Sequence, residues 1–207
     1  MTVETLLFPC YALFAEREKL QIENGGKTIM TVKTKKITLM AVGIALFVVL
    51  SLCLQVPVFE NYYLCLGYVV MAVYCYSFGT LAGTVVGFFG VILYCVVISG
   101  LRGMPGWALG NIVIGIALGV CFKAARKTDN QFIRTVIHIA AIVGGVALGI
   151  LVVKSEVESL LYLQPFMLRA VKNSYAFVAD VIVLIISLPL CVTLDKPAEK
   201  IFRSKAS

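Results

Sequence analysis

Asp180 is the residue whose position first asks for chemistry. It lies about one and a half helical turns into the apolar run 175–194, where an ionised carboxylate costs several kcal/mol unless it faces a partner or a wet cavity. Two readings follow: contact with a ligand, or a bridge between helices through Arg169 or Lys172. The same ends of the apolar runs hold Gln55, Tyr62, Tyr63, Tyr68, Tyr94, Trp107, Asn111, Asn173 and Tyr175, while the opposite halves are almost purely aliphatic and small. Amides and aromatic rings gathered on one side suit a planar or heteroaromatic molecule held by stacking and hydrogen bonds. Each residue also has a plainer explanation. A buried amide such as Asn111, a turn below Trp107, is as often interhelical glue as a reader of ligand. Tyr and Trp gather at membrane interfaces whatever the function. The candidate substrate-binding set is Gln55, Tyr68, Tyr94, Trp107, Asn111, Asn173 and Asp180.

Catalytic patterns are not found. No nucleophile with a paired base, no metal-ligand cluster and no phosphate loop stands in any run or connection, so the chain reads as a binder, not an enzyme, with no cofactor and no metal. "GGKT" imitates the end of a phosphate-binding loop, but Gln21 stands where that loop needs its first glycine, and no strand precedes it. His138, the only histidine, lies near the inner end of its run, where a structural or interfacial role fits better than catalysis. The seven cysteines, Cys10, Cys53, Cys65, Cys75, Cys95, Cys121 and Cys191, contain no CxxC pair and read as small apolar residues.

The elements that must position these residues follow from composition. The chain has 207 residues, 60% of them hydrophobic and 14% charged, with a mean hydropathy of +0.97, which is more apolar surface than a soluble domain can hide. Six segments are long enough, or nearly so, to cross a bilayer: 37–56, 62–79, 80–99, 107–122, 133–153 and 175–194. The second and third run together almost without polar punctuation. Read as one helix they would be about twice the length of a span, so a tight turn between Ser77 and Thr80 is expected. If both termini are cytoplasmic, fourteen of the eighteen Lys and Arg fall on the inner side, leaving Arg102, Lys154, Arg169 and Lys172 outside. The positive-inside rule thus supports an all-α polytopic membrane protein with six transmembrane helices and both termini cytoplasmic. It also explains the net charge of +7 without a nucleic-acid partner. The loop "SGLRGMPGW" and a 20-residue connection from Lys154 to Asn173 are long enough to close over an outward-facing site.

The stretch "TLLFPCYALFA" fits neither a span nor a signal peptide, being short, interrupted by Pro9 and without a positive n-region. "NGGKTIM" back-translates to codons that can contain GGAGG shortly before Met30, as a bacterial ribosome-binding site would. We expect residues 1–29 to be a mis-assigned or disordered extension and residues 30–207 to form the membrane domain.

Two stripes of small residues stand out. Ala41 and Ala45, four apart in the first span, let another helix approach closely, and Gly79, Gly83 and Gly87 do the same for the third. Self-association is one reading; packing within the bundle or against a partner subunit is the other.

"FGTLAGTVVGFFG" followed by "PGWALGNIVIGIALGVCFK" resembles the substrate-binding S components of energy-coupling factor (ECF) vitamin transporters, of the riboflavin type. The tail "LDKPAEKIF" is similar to that family's proline-containing cytoplasmic ending, and "AVGIA" to its small-xxx-small docking signature. The likeness spans about residues 37–203. It implies six helices, an outward-facing vitamin site and no ATPase of its own. It also implies toppling in the membrane driven by two ATPase subunits through a transmembrane coupling protein, with Ala41 and Ala45 as the docking face. Where the family's ladder continues into a histidine and an aspartate, this chain has Val91 and Cys95, and Thr80 replaces a proline. If those polar residues touch ligand in relatives, this protein binds something different or binds it differently. The expected function is capture of a vitamin or related heterocycle at the bacterial plasma membrane for an ECF-type importer. The alternative is a solitary or homo-oligomeric small-molecule carrier or channel, and a third reading is a membrane scaffold without ligand.

Overall fold

The computed structural model describes residues 32–53, 56–59, 62–98, 100–101 and 103–203, with side chains over 37–53, 65–98, 100–101 and 103–195. The expectation for residues 1–29 and the candidate Gln55 lie outside the described residues. The chain forms two units, Met1–Thr38, described only at the start of its helix, and Leu39–Ser207, which holds the rest.

The apolar runs fold as helices. They are α1 (Val32–Cys53), α2 (Gly67–Ser77), α3 (Thr80–Val97), α4 (Met104–Ala125), α5 (Gln131–Val146), α6 (Ser155–Tyr162) and α7 (Phe166–Arg203). Between α5 and α6 the chain stays helical with a wider π-type turn over Ala147–Lys154. Among the described residues, four helical stretches are long and apolar enough to cross a membrane: Thr80–Val97, Met104–Ala125, Gln131–Tyr162 and Phe166–Asp195. Ile37–Cys53 and Gly67–Ser77 are shorter apolar helices. One feature the sequence did not announce is an antiparallel ribbon, β1 (Val56–Phe59) and β2 (Tyr62–Leu64), paired Val56 to Leu64 and Pro57 to Tyr63, with an irregularity before Phe59. It lies at the end of the bundle where α2 and α4 begin, called here the ribbon end.

Local chemistry fixes several boundaries. α2 and α3 are separate, as the length argument required, and Gly79 makes the turn with φ 92° and ψ 176°, a conformation essentially confined to glycine. An added Cβ at Gly79 would meet nothing within 4 Å, so this glycine serves the turn and not the packing face to which the spacing assigned it. Asn130 caps α5, its side-chain oxygen accepting from the Phe132 N–H at 3.0 Å and the Ile133 N–H at 3.5 Å. α6 ends on Leu163 in the left-handed conformation at φ 51°, and Ser159 Oγ donates to the Gln164 carbonyl at 2.7 Å.

The rest of the glycine ladder packs inside the bundle. A Cβ at Gly83 would strike the Cys75 sulfur and, at 2.7 Å, the Cys75 backbone nitrogen, one at Gly87 the Met71 sulfur at 2.5 Å and one at Gly90 the Phe47 ring at 2.6 Å. Three successive turns of α3 are therefore pressed onto α2 and α1. On its other side α3 meets α4, where Gly115 lies against Thr84 and Gly119 against Thr80. α4 also crosses the π-type turn at Gly110, whose Cβ would sit 2.6 Å from the Gly149 carbonyl oxygen. With lipid outside, such close backbone contacts stabilise by dispersion and not by hydrophobic transfer. The core they enclose is built on Phe47, Met71, Val86, Ile114, Leu118, Phe122 and Leu184.

One expectation is corrected. The stretch from Lys154 to Asn173 is not a 20-residue connection free to close over the site. α6 carries the fifth apolar helix on to Tyr162, α7 starts at Phe166, and only residues 163–165 join them. Lys154, Glu156 and Glu158 end the hydropathy run, yet the helix absorbs two of these charges by pairing them with each other.

Candidate functional site

A hydrogen-bonded chain joins α4, α2 and α3 at the ribbon end. Trp107 Nε1 donates to Tyr68 Oη at 2.9 Å, Tyr68 Oη donates to Asn111 Oδ1 at 2.8 Å, and Asn111 Nδ2 donates to the Gly87 carbonyl at 3.0 Å. Trp107 and Asn111 are four apart and so share a face of α4, while the bare backbone of Gly87 lets the amide reach its carbonyl. Tyr68 and Asn111 are fully buried, and each polar group in the chain has a partner, as burial in an apolar interior demands. The Tyr94 ring meets Trp107 edge-on at 5.7 Å between centroids, and Phe47 meets Tyr68 in the same manner at 6.4 Å.

Beside this chain lies a charged cluster. The π-type turn ends on Lys154, whose Nζ lies 5.9 Å from the centre of the Trp107 ring. One turn on, Glu158 receives Lys154 at 4.0 Å and Arg169 of α7 at 4.0 Å. Asn173 Nδ2 donates to Ser155 Oγ at 3.0 Å and to Glu158 Oε2 at 3.1 Å. Ser155 in turn donates to the Ile150 carbonyl at 3.1 Å, five residues back, a spacing that the π-type turn provides. Asp180, buried two turns further along α7, meets the Tyr68 hydroxyl and lies in the field of Lys154. Lys154 thus connects the two networks. Gly106 lets α4 close on the cluster, since a Cβ there would sit 3.1 Å from the Lys154 carbonyl oxygen and 3.3 Å from Glu158 Cγ. A cleft of about 390 Å³ opens at this end between Leu101, Pro105, Leu161 and Tyr162, and Arg169 stacks on the Tyr162 ring at 4.0 Å.

Five of the candidates, Tyr68, Tyr94, Trp107, Asn111 and Asp180, therefore form one connected group, and Asn173 belongs to the adjoining cluster. Of the two readings of Asn111, the observed contacts are interhelical. Asp180 finds Tyr68 and Lys154, whereas the partners expected of it lie elsewhere: Arg169 is engaged with Glu158, and Lys172 is exposed. Tyr175 is exposed. Ala41 and Ala45 lie on an exposed face of α1, while Gly43 between them is pressed against Tyr74 and Val86. His138 is buried at the opposite end among Tyr76 and Phe122, with ring centroids 5.8 and 4.9 Å away. Ser155 and Glu158 were missed, and Lys154 was counted only as a loop charge. Their spacing at i, i+1 and i+4 marks one helix face, which shows only once the helix is known to continue.

A helical membrane-embedded bundle with a buried polar and aromatic group at one end is the class of protein these observations define. The family model for the S component of ECF-type riboflavin transporters matches residues 31–196, and the chain belongs to that family. Its members are substrate-binding subunits of transporters and not enzymes, and they reside in the membrane. A UPF0397 protein of Lactococcus lactis subsp. cremoris (strain SK11) is 34% identical over 110 residues, covering 52% of this chain and 57% of the relative. The UPF0397 protein of strain NZ9000 is 35% identical over 94 residues, covering 44% and 50%. The chain spans about half the length of the curated relatives it matches. Among solved structures, the S-component for biotin from an ECF-type ABC transporter superposes with a TM-score of 0.54 at 17% identity, covering 79% of this chain and 92% of that one. That likeness is one of fold.

Proposed function

We propose that the chain is the substrate-capture subunit of an ECF-type importer for a vitamin or related heterocycle, riboflavin-like or other. In this reading six helices cross the bilayer with both termini cytoplasmic, and the ribbon end faces outward. The observation that carries it is the group formed by Tyr68, Asn111, Lys154, Asn173 and Asp180, all buried, with the partly buried Trp107, gathered at one end of the bundle. Charged and amide groups at membrane depth are costly and mark sites of binding or passage. Ala41 and Ala45 offer a small-residue face to the transmembrane coupling protein, which links the subunit to two ATPases. Two of the three glycines that suggested self-association, Gly83 and Gly87, are occupied by α2, and Gly79 serves a turn, which favours the capture reading over the homo-oligomeric carrier.

Purification of the full chain followed by mass spectrometry of retained small molecules tests the proposal. A heterocycle present near one per chain, and lost on Trp107→Ala, is the expected result. A preparation that retains nothing and imports substrate without any ATPase partner would overturn it.

A further inference from the structure

The turn between α6 and α7 is built inside out for a segment in water. Leu163 at its apex is 92% exposed in the left-handed conformation at φ 51°, and Leu160 and Met167 on either side are 70% and 73% exposed. Leu161, Leu168 and Val171 extend the patch. The polar side chains of the tip turn the other way: Ser159 and Gln164 are half-buried, with Ser159 Oγ donating to the Gln164 carbonyl, and Glu158 is buried. From Leu160 to Leu168 no residue carries a charge. A left-handed turn position in water is usually Gly or Asn, and such turns send polar groups outward. A contiguous exposed apolar patch instead marks a surface that meets membrane or protein.

Two observations identify lipid as the occupant. The first is continuity: Met167 and Val171 run on at helical spacing into the exposed Tyr175, Val178, Ile182 and Ile186, so the face that α7 turns to acyl chains deeper in the membrane stays apolar up to the apex. The second is height. From Arg134, near the opposite end of the same continuous helix, to Leu163 is 29 residues. At the helical rise this is about 43 Å, and a bilayer with its headgroup layers is about 40–45 Å thick. With Arg134 among the headgroups of one leaflet, where basic side chains at helix ends settle, Leu163 stands among those of the other. The exposed Glu156 and Lys172, each eight residues from Gln164, then share a level near the hydrocarbon edge, within a side chain's reach of the headgroups.

We infer that the α6–α7 tip is a lipid-docking surface, with Leu160, Leu163 and Met167 seated in the headgroup layer of the leaflet at the ribbon end and not in water. Apolar side chains on a short helical segment bind there by burying their surface at the boundary between headgroups and acyl chains. Leu161 and Tyr162 belong both to this hairpin and to the wall of the cleft, so the cleft opens at headgroup level. The inference does not depend on which molecule the chain captures, or on whether it captures one.

The test is fluorescence quenching of the full chain in phosphatidylcholine vesicles. Trp107 is the only tryptophan, so a Trp107→Phe background is silent. On it, Leu163→Trp and Met167→Trp each place a reporter on the tip, at positions exposed among the described residues, where an indole displaces nothing packed. Val178→Trp places a third on the same face of α7, 11 residues beyond Met167 and so about 17 Å deeper. Both tip reporters should be quenched more by lipid brominated near the headgroup than by lipid brominated near the chain end, and Val178→Trp in the reverse order. Acrylamide in the water should quench the tip reporters at least about threefold less than it quenches free N-acetyltryptophanamide, because seating in the interface shields the indole. Tip emission quenched freely by acrylamide and by neither brominated lipid makes the tip a water-exposed turn and overturns the inference. Tip emission shielded from all three quenchers puts protein on the patch, a second copy or a partner, and overturns it as well. The capture reading stands in either case.

Discussion

Tyr68 and Asn111 share a buried 2.8 Å hydrogen bond between α2 and α4, and that bond sits in the middle of a relay running from the Trp107 indole to the Gly87 carbonyl. Four residues on three helices are therefore held by groups that a sequence reader would assign to ligand.

Tyr68→Phe keeps the ring and removes the hydroxyl, leaving the Trp107 N–H and Asn111 Oδ1 without it. Because a buried polar group stripped of its partner incurs its desolvation penalty uncompensated, this variant should lose about 1–3 kcal/mol. Asn111→Leu should cost a similar amount by taking the acceptor from the buried Tyr68 hydroxyl. The double variant should cost less than the two together, with a coupling of about 0.5–3 kcal/mol. Thermal or denaturant unfolding in detergent measures all three, and strict additivity would show that the relay does not act as a unit.

The ladder that began as one pattern divides into two kinds of glycine. Gly83→Ala drives a methyl into the Cys75 backbone, which cannot rotate away, and should cost about 1–3 kcal/mol or more. Gly79→Ala meets no atom within 4 Å, yet its positive φ should cost about 1–3 kcal/mol through backbone strain alone. Trimming the neighbour separates them: Cys75→Ala should relieve the part of the Gly83 clash due to the Cys75 sulfur but not the part due to its backbone, and nothing at Gly79. Gly144, exposed and with nothing within 4 Å of its Cβ position, is the control and should accept alanine without loss.

These cases show what the sequence discloses and what it hides. Apolar runs announced the helices, and length alone separated α2 from α3, because bilayer thickness limits a span. The side of the bundle carrying Tyr68, Trp107 and Asn111 was legible because these residues stand near the same ends of their apolar runs. The role of each was not, since the same amide serves a ligand or a neighbouring helix, and only the geometry around Gly87 distinguishes them. The α5–α6 continuity was hidden for a different reason. Lys154 and Glu158 look like the start of a water-exposed connection until the fold brings Arg169 and Asn173 to them from α7. Charge pairing across helices is a tertiary fact, and hydropathy along one segment carries no trace of it.

At the end opposite the ribbon, Arg126 serves α2 and α7 together. Its Nη2 donates to the Tyr76 carbonyl and to Asp195 Oδ1, the latter at 2.7 Å, and its guanidinium lies 4.5 Å from the centre of the Tyr76 ring. The ion pair is well exposed, with 39% and 30% of the two side chains accessible, so Asp195→Asn should cost no more than about 1 kcal/mol, and less in high salt. Arg126→Ala removes the carbonyl's partner and the ring contact as well and should cost more than the aspartate change. Unfolding of both variants at low and high salt checks the order. Equal losses would mean that the pair alone matters.

The last prediction separates binding from transport. Ala41 and Ala45 are four residues apart on an exposed face of α1, whereas the intervening Gly43 is packed inward. Replacing both alanines by leucine adds bulk at positions exposed among the described residues, so stability and ligand affinity should stay within about 0.5 kcal/mol of the native values. If this face receives a helix of the coupling protein, close approach is what the small residues supply, and leucines should abolish it. Copurification with the coupling protein and ATPases should then fall by at least about tenfold, equivalent to some 1.4 kcal/mol, and ATP-driven uptake should fall with it. A chain with leucines at both positions that still binds ligand but no longer copurifies places the docking surface on α1. One that copurifies and imports as before moves that surface elsewhere and leaves the binding group at the ribbon end untouched.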